Sequence, residues 1–105
     1  MIVDEVFAWY QSRQNHYESL GVAFDLRPPI SYGSDDEPVH ACPEAFSKGP
    51  NETRIYLWDA AHLETATLNG VSKLITSKYH KVSTATEAIQ IIESHLDAFA
   101  ELPVE

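Results

Sequence analysis

From residue 53 the chain alternates in period two to 59 and returns over 62–68. Asn69-Gly70 then interrupts it, and 71–82 resumes with a composition rich in Val, Ile, Thr and Tyr. A period of two belongs to strands with one buried face. Asn-Gly between two such runs is the strongest short-range hairpin signal, because both positions tolerate positive φ. Residues 53–59 set Ile55 and Leu57 against Arg54, Tyr56 and Trp58; a tight Ala60-Ala61 connection follows, and 62–68 returns. The segment 71–82 is long for one strand and has room for a bulge. A chain holding this stretch is committed to an antiparallel sheet.

Helices are expected on either side of it. Ile2 or Val3, Val6, Phe7, Tyr10, Tyr17 and Leu20 recur at helical spacing, Asp4 and Glu5 sit in the first turn, and Gly21 is a natural residue to end the helix. Residues 22–27 alternate as a half-buried strand that Pro28-Pro29 stops. Residues 28–38, with three prolines, Gly33 and Asp35-Asp36-Glu37, read as a long exposed loop. A strand over 39–46 is weaker, since Pro43 demotes it to an edge or a bulge. Thr84-x-x-Glu87 is a capping box opening a last helix over 85–101, with Ile89, Ile92, Leu96 and Phe99 as its apolar stripe and Ile91 flanking. The expected fold is therefore α+β in two layers. It has a four- to five-stranded antiparallel meander with an N-terminal and a C-terminal helix packed on one face. With 105 residues, 1–105 forms a single domain.

Charge narrows the partners. Residues 1–47 hold eight acids and two bases, 48–81 three acids and five bases, and 82–105 five acids and no base, for a net charge of −9. Lys48, Arg54, Lys73, Lys78 and Lys81 are too few against this field for direct nucleic-acid binding. The charge repels polyanions and speeds the approach of a basic partner. No apolar run approaches the ~20 residues of a membrane span, and the acidic start MIVDEVFAWY is unlike a signal peptide. With one cysteine, Cys42, no internal disulfide framework forms. A soluble cytoplasmic protein is expected.

No G-x-S-x-G, P-loop or dinucleotide fingerprint occurs, and nothing calls for a cofactor. His40-x-Cys42 supplies two ligands without a third, so no metal is expected, and Cys42 reads as a small buried hydrophobe. His62 and His80 fall on strands that can neighbour each other, which leaves a catalytic or ligand-binding domain as the alternative. Recognition fits the residues better, and the chain is not expected to be an enzyme. Asp35, Asp36 and Glu37, with Glu44 following, would present carboxylates where phosphates lie in a basic groove. Such an acidic nucleic-acid mimic would also suit a target other than a nuclease. If Ile55 and Leu57 face the helices, Arg54, Tyr56 and Trp58 share the open face with Glu64, and a Tyr–Trp pair beside an Arg has the composition of a binding hot spot. Alternation alone also permits the swapped assignment, with the aromatics inside.

The run Thr53-Arg54-Ile55-Tyr56-Leu57-Trp58-Asp59-Ala60-Ala61-His62 resembles the TriTu-type immunity proteins of bacterial contact-dependent growth inhibition systems. There too a strand ends in Trp, an acid and two small residues, and His opens the next strand. An N-terminal helix with a Trp near its start, here Trp9, an acidic loop, a meander and a capped final helix complete the likeness. Ala61 stands where that pattern usually has glycine, and Thr65 and Thr67 replace larger aliphatics. The resemblance implies a protein that neutralises a cognate tRNA-cleaving nuclease toxin domain in a 1:1 complex, and it leaves room for elongation factor Tu in a ternary complex with the toxin.

Overall fold

The computed structural model describes residues 2–33, 38–58 and 62–105, and gives an α+β domain with two helices and a six-stranded antiparallel sheet. The elements are α1 (Ile2–Glu18), β1 (Ala23–Asp25), β2 (Ile30–Gly33), β3 (Pro38–Lys48), β4 (Asn51–Trp58), β5 (His62–Asn69), β6 (Leu74–Lys81) and α2 (Ala85–Ala100). From β3 to β6 each strand pairs with the next, and β1 and β2 lie end to end along the other side of β3. Among the described residues no helix is long and apolar enough to cross a membrane.

α1 ends as its glycine predicts. Gly21 has φ +87°, its N–H donates to the Glu18 carbonyl, and the Val22 N–H donates to that of Tyr17. This Schellman pattern satisfies carbonyls that would otherwise face no donor. It also turns Leu20 outward, so Leu20 is exposed rather than part of the buried stripe. At the start of α2 the Thr84 hydroxyl accepts from the Glu87 N–H at 3.1 Å, while the Glu87 carboxylate accepts from the Ser83 N–H. The capping box is present, its return bond displaced by one residue. A cap of this kind is worth about 1 kcal/mol.

Both helices cover one face of the sheet. Val3, Val6, Tyr10 and Tyr17 of α1 and Ala88, Ile92, Leu96 and Phe99 of α2 are buried with Cys42, Phe46, Ile55, Leu57 and Leu63. Tyr10, Tyr17, Phe24 and Phe46 form an aromatic cluster under α1, with Phe24 and Phe46 edge-to-face at 4.8 Å. The helices are tied to each other where Tyr17 donates to Asp97 at 2.7 Å and Arg13 meets Glu93 at 3.6 Å.

Three expectations change. The segment 28–38 is not all loop, because Ile30–Gly33 pairs with Pro38–Ala41. β3 is a central strand of 11 residues rather than a short edge. Its residues 42–44 fall between the ends of β1 and β2 and have no partner on that side, and a proline without an N–H is accommodated there. The hairpin at Asn69-Gly70 forms, but its turn is longer. Residues 70–73 make it, the Lys73 N–H donates to the Asn69 carbonyl, and positive φ falls on Lys73 (64°). β6 then pairs without a bulge from Asn69↔Leu74 to His62↔Lys81. Gly70 is needed for space: a Cβ there would lie 2.1 Å from the Pro50 carbonyl oxygen.

Candidate protein-binding face

Ile55 and Leu57 are buried against the helices, so alternation along β4 sends Arg54, Tyr56 and Trp58 to the uncovered face. The register lays that face out in rows. Trp58 stands opposite His62, Tyr56 opposite Glu64, and Glu64 opposite Tyr79, while Arg54 lies opposite Ala66. On the β3 side the same three residues face Ala41, Pro43 and Ala45. The neighbours on the β3 side are thus small, while His62 and Glu64 flank the rings on the β5 side. Tyr56 and Trp58 stack at 5.9 Å with ring planes 21° apart, and His62 lies 5.3 Å from Tyr79. Beside Tyr56 and Arg54 a cleft of ≈ 250 Å³ opens toward Asp25, Arg27 and Pro43.

Arg54 is exposed; Tyr56, Trp58 and Glu64 are half-buried. The structure therefore brings four of the sequence-expected contact residues together. Glu44 borders the same cleft but does not share their face. It shares the helix-side face with Cys42 and Phe46, is 2 % exposed, and accepts the Arg27 N–H with both oxygens at 3.1 and 3.0 Å. Burial is the main cause that pushes its pKa up to about 7, with Asp25 adding to the rise and the Arg27 N–H and Cys42 opposing it. A carboxylate so placed plugs the gap between β1 and β2 rather than offering charge to a partner. The pattern Cys42–Glu44–Phe46 held this information, and Pro43 obscured it. Asp35, Asp36 and Glu37 lie outside the described residues, as does the Ala60-Ala61 connection. His62 and Tyr79 are additional residues of the face. They become visible only through the β4–β5–β6 register.

The paired strands β5 and β6 do hold His62 and His80, but on opposite faces. His62 is opposite Lys81 on the open side, and His80 is opposite Leu63 on the helix side. They do not form a catalytic pair. His80 instead borders a groove of ≈ 400 Å³ with Lys78, Ser94 and His95. His95 Nε2 lies 2.8 Å from Thr53 Oγ1 and 3.3 Å from Thr67 Oγ1. Burial, then the Lys78 and His80 charges, lower its pKa. Cys42 is fully buried, and burial with the neighbouring Glu44 pushes its thiol far above the range of a reactive thiolate. His40 Nδ1 pairs with Ser31 Oγ at 2.6 Å. No group of three or more His, Cys, Asp or Glu side chains that would hold a metal ion occurs among the described residues.

The fold and this face together define an α+β domain with one helix-covered and one open sheet surface. Compared with known protein families, with curated proteins and with solved structures, the chain finds no match.

Proposed function

We propose that this chain is an immunity protein that binds a cognate tRNA-cleaving nuclease toxin domain 1:1 and neutralises it by covering its active site or RNA-binding surface. The observation that carries the reading is the stacked Tyr56–Trp58 pair beside Arg54 and Glu64 on the open face, within the same 53–62 run that resembles the TriTu-type proteins. Stacked aromatics flanked by an Arg and a carboxylate are the composition of a desolvated anchor with a polar rim. The excess of 16 acids over seven bases supports steering toward a basic, RNA-binding partner, with Asp35, Asp36 and Glu37 supplying part of that field. The encounter would take place in the cytosol, and contact with elongation factor Tu would be made in the toxin-bound complex.

The test is binding to, and protection against, candidate tRNA-cleaving nuclease toxin domains. Trp58→Ala is expected to raise the off-rate by roughly 30-fold, the equivalent of ~2 kcal/mol. Arg54→Glu, at an exposed position, is expected to weaken binding without touching the fold. Reversing Asp35, Asp36 and Glu37 should slow association in a salt-dependent way. If Trp58→Ala and Arg54→Glu both melt like wild type and protect cells as well as wild type, this face is not the interface.

A further inference from the structure

The last strand of the sheet poses a separate question. β6 ends the strand order, and its outer backbone edge pairs with no other strand among the described residues. It is 8 residues long, contains neither Pro nor Gly, and is exposed along its length except at the half-buried His80. Seven large hydrophobic residues are exposed among the described residues. Four of them, Val71, Leu74, Ile75 and Tyr79, fall in this strand and the turn leading to it, with Ile75 at 76 % and Tyr79 at 56 %. Sheet edges of this kind are normally shortened, interrupted by Pro, or covered.

We propose that two copies of this chain pair through their β6 edges, antiparallel about a two-fold axis at Ser77, so that one sheet continues into the next. Two observations select a second copy as the occupant. The first is register. An axis at Ser77 sets Ile75 of each copy opposite Tyr79 of the other, on the same sheet face, and sets Leu74 opposite His80 and Thr76 opposite Lys78. An axis one residue later would stack Lys78 on itself. One residue earlier, Ile75 would meet Ser77 and lose its aromatic partner. Only the Ser77 axis sets the most exposed residue of the strand, Ile75, against the exposed aromatic Tyr79, and it does so twice by symmetry.

The second observation is charge. Each copy carries a net charge of −9, and the acids are concentrated in residues 1–47 and 82–105. β6 contains Lys78 and Lys81 and no acid. Two strongly acidic molecules therefore meet with least repulsion along this edge. Lys81 faces Lys73 of the other copy only at the ends of the ladder, where water screens both. The pairing does not rest on the toxin-binding reading: it shares Tyr79 with that face, whereas Arg54, Tyr56 and Trp58 lie on β4.

The experiment is sedimentation equilibrium of the full chain from micromolar to millimolar concentration, with cysteine cross-linking to read the register. A monomer–dimer equilibrium is expected that tightens as salt is raised, since salt screens the repulsion between like-charged copies. Ile75→Lys, at an exposed site, should keep the wild-type circular dichroism and melt and shift the chain to monomer. Under mild oxidation Ser77→Cys should form a disulfide dimer, because directly opposed Cα atoms lie within bridging distance. Thr76→Cys and Lys78→Cys should each cross-link poorly alone and readily when mixed. A chain that stays monomeric at every concentration overturns the proposal and leaves the edge to an extended segment of an acidic protein. Dimers that survive Ile75→Lys, or that cross-link no faster at Ser77 than elsewhere, overturn it as well.

Discussion

The two edges of this sheet are built on opposite plans. At one, β1 and β2 are strands of 3 and 4 residues laid end to end on β3, interrupted by Pro28-Pro29. The gap between them is closed by the Glu44 carboxylate on the Arg27 N–H, and α1 packs over it through Tyr10, Tyr17, Phe24 and Phe46. At the other, β6 runs unbroken and exposed, carrying Lys78 and Lys81 and no acid. The first edge is broken into two short strands, which disfavours strand addition. The second runs unbroken over its 8 residues.

Substitutions at the two edges should therefore differ in size. Phe46→Ala removes an aromatic ring from the cluster under α1 and should cost about 3–5 kcal/mol in chemical denaturation. A loss under 1 kcal/mol would mean that α1 does not hold that edge. Gly70→Ala, at the turn that launches β6, should cost about 3 kcal/mol, because the added Cβ meets backbone of the β3–β4 turn rather than a side chain that can move away.

Glu44 gives the first edge a dependence on pH. Its folded pKa of about 7 lies above the ordinary glutamate value of 4.5, so the folded state holds this proton more tightly than the unfolded chain does. Its contribution is thus full below about pH 4.5 and is lost as pH rises through 7. Glu44→Gln keeps an acceptor for the Arg27 N–H and has no proton to lose. Above pH 7.5 it should melt as the more stable protein, by about 2 kcal/mol, and the wild-type slope between pH 5 and 7 should flatten. An unchanged slope would assign the pH dependence elsewhere. The smallest effect belongs to the open edge. Ile75→Thr should shift the stability of the monomer by less than about 0.5 kcal/mol.

Most of the fold was legible because it rests on local signals. The Schellman glycine, the Thr84 cap, the 3.6-residue stripes and the alternation of β4 each report structure within a few residues of themselves. β2 and the length of β3 were not legible, because proline is excluded from a strand only where its N–H would have met a partner. The 42–44 gap that removes this requirement is created by distant segments. The turn after Asn69 was misread for the same reason, since Gly70 answers to Pro50 rather than to its own φ. Of the candidate site, Arg54, Tyr56, Trp58 and Glu64 follow from periodicity given that Ile55 and Leu57 face the helices. The Glu44 burial was hidden by the neighbouring proline, and His62 and Tyr79 needed the pairing of β5 with β6.

Asn51 sets an order of events as the chain is made. Its side-chain carbonyl accepts from the Gly70 N–H, its amide donates to the Pro103 carbonyl at 3.0 Å, and the adjacent Lys48 ammonium donates to the carbonyls of Ala100 and Leu102. The β3–β4 and β4–β5 hairpins join neighbouring segments and can form while the chain is still emerging from the ribosome. The buried groups at the β3–β4 turn cannot be satisfied until residue 103 has cleared the exit tunnel. A nascent chain halted before that point should hold a protease-sensitive sheet, and its protection should appear in one step when the segment 100–103 is released.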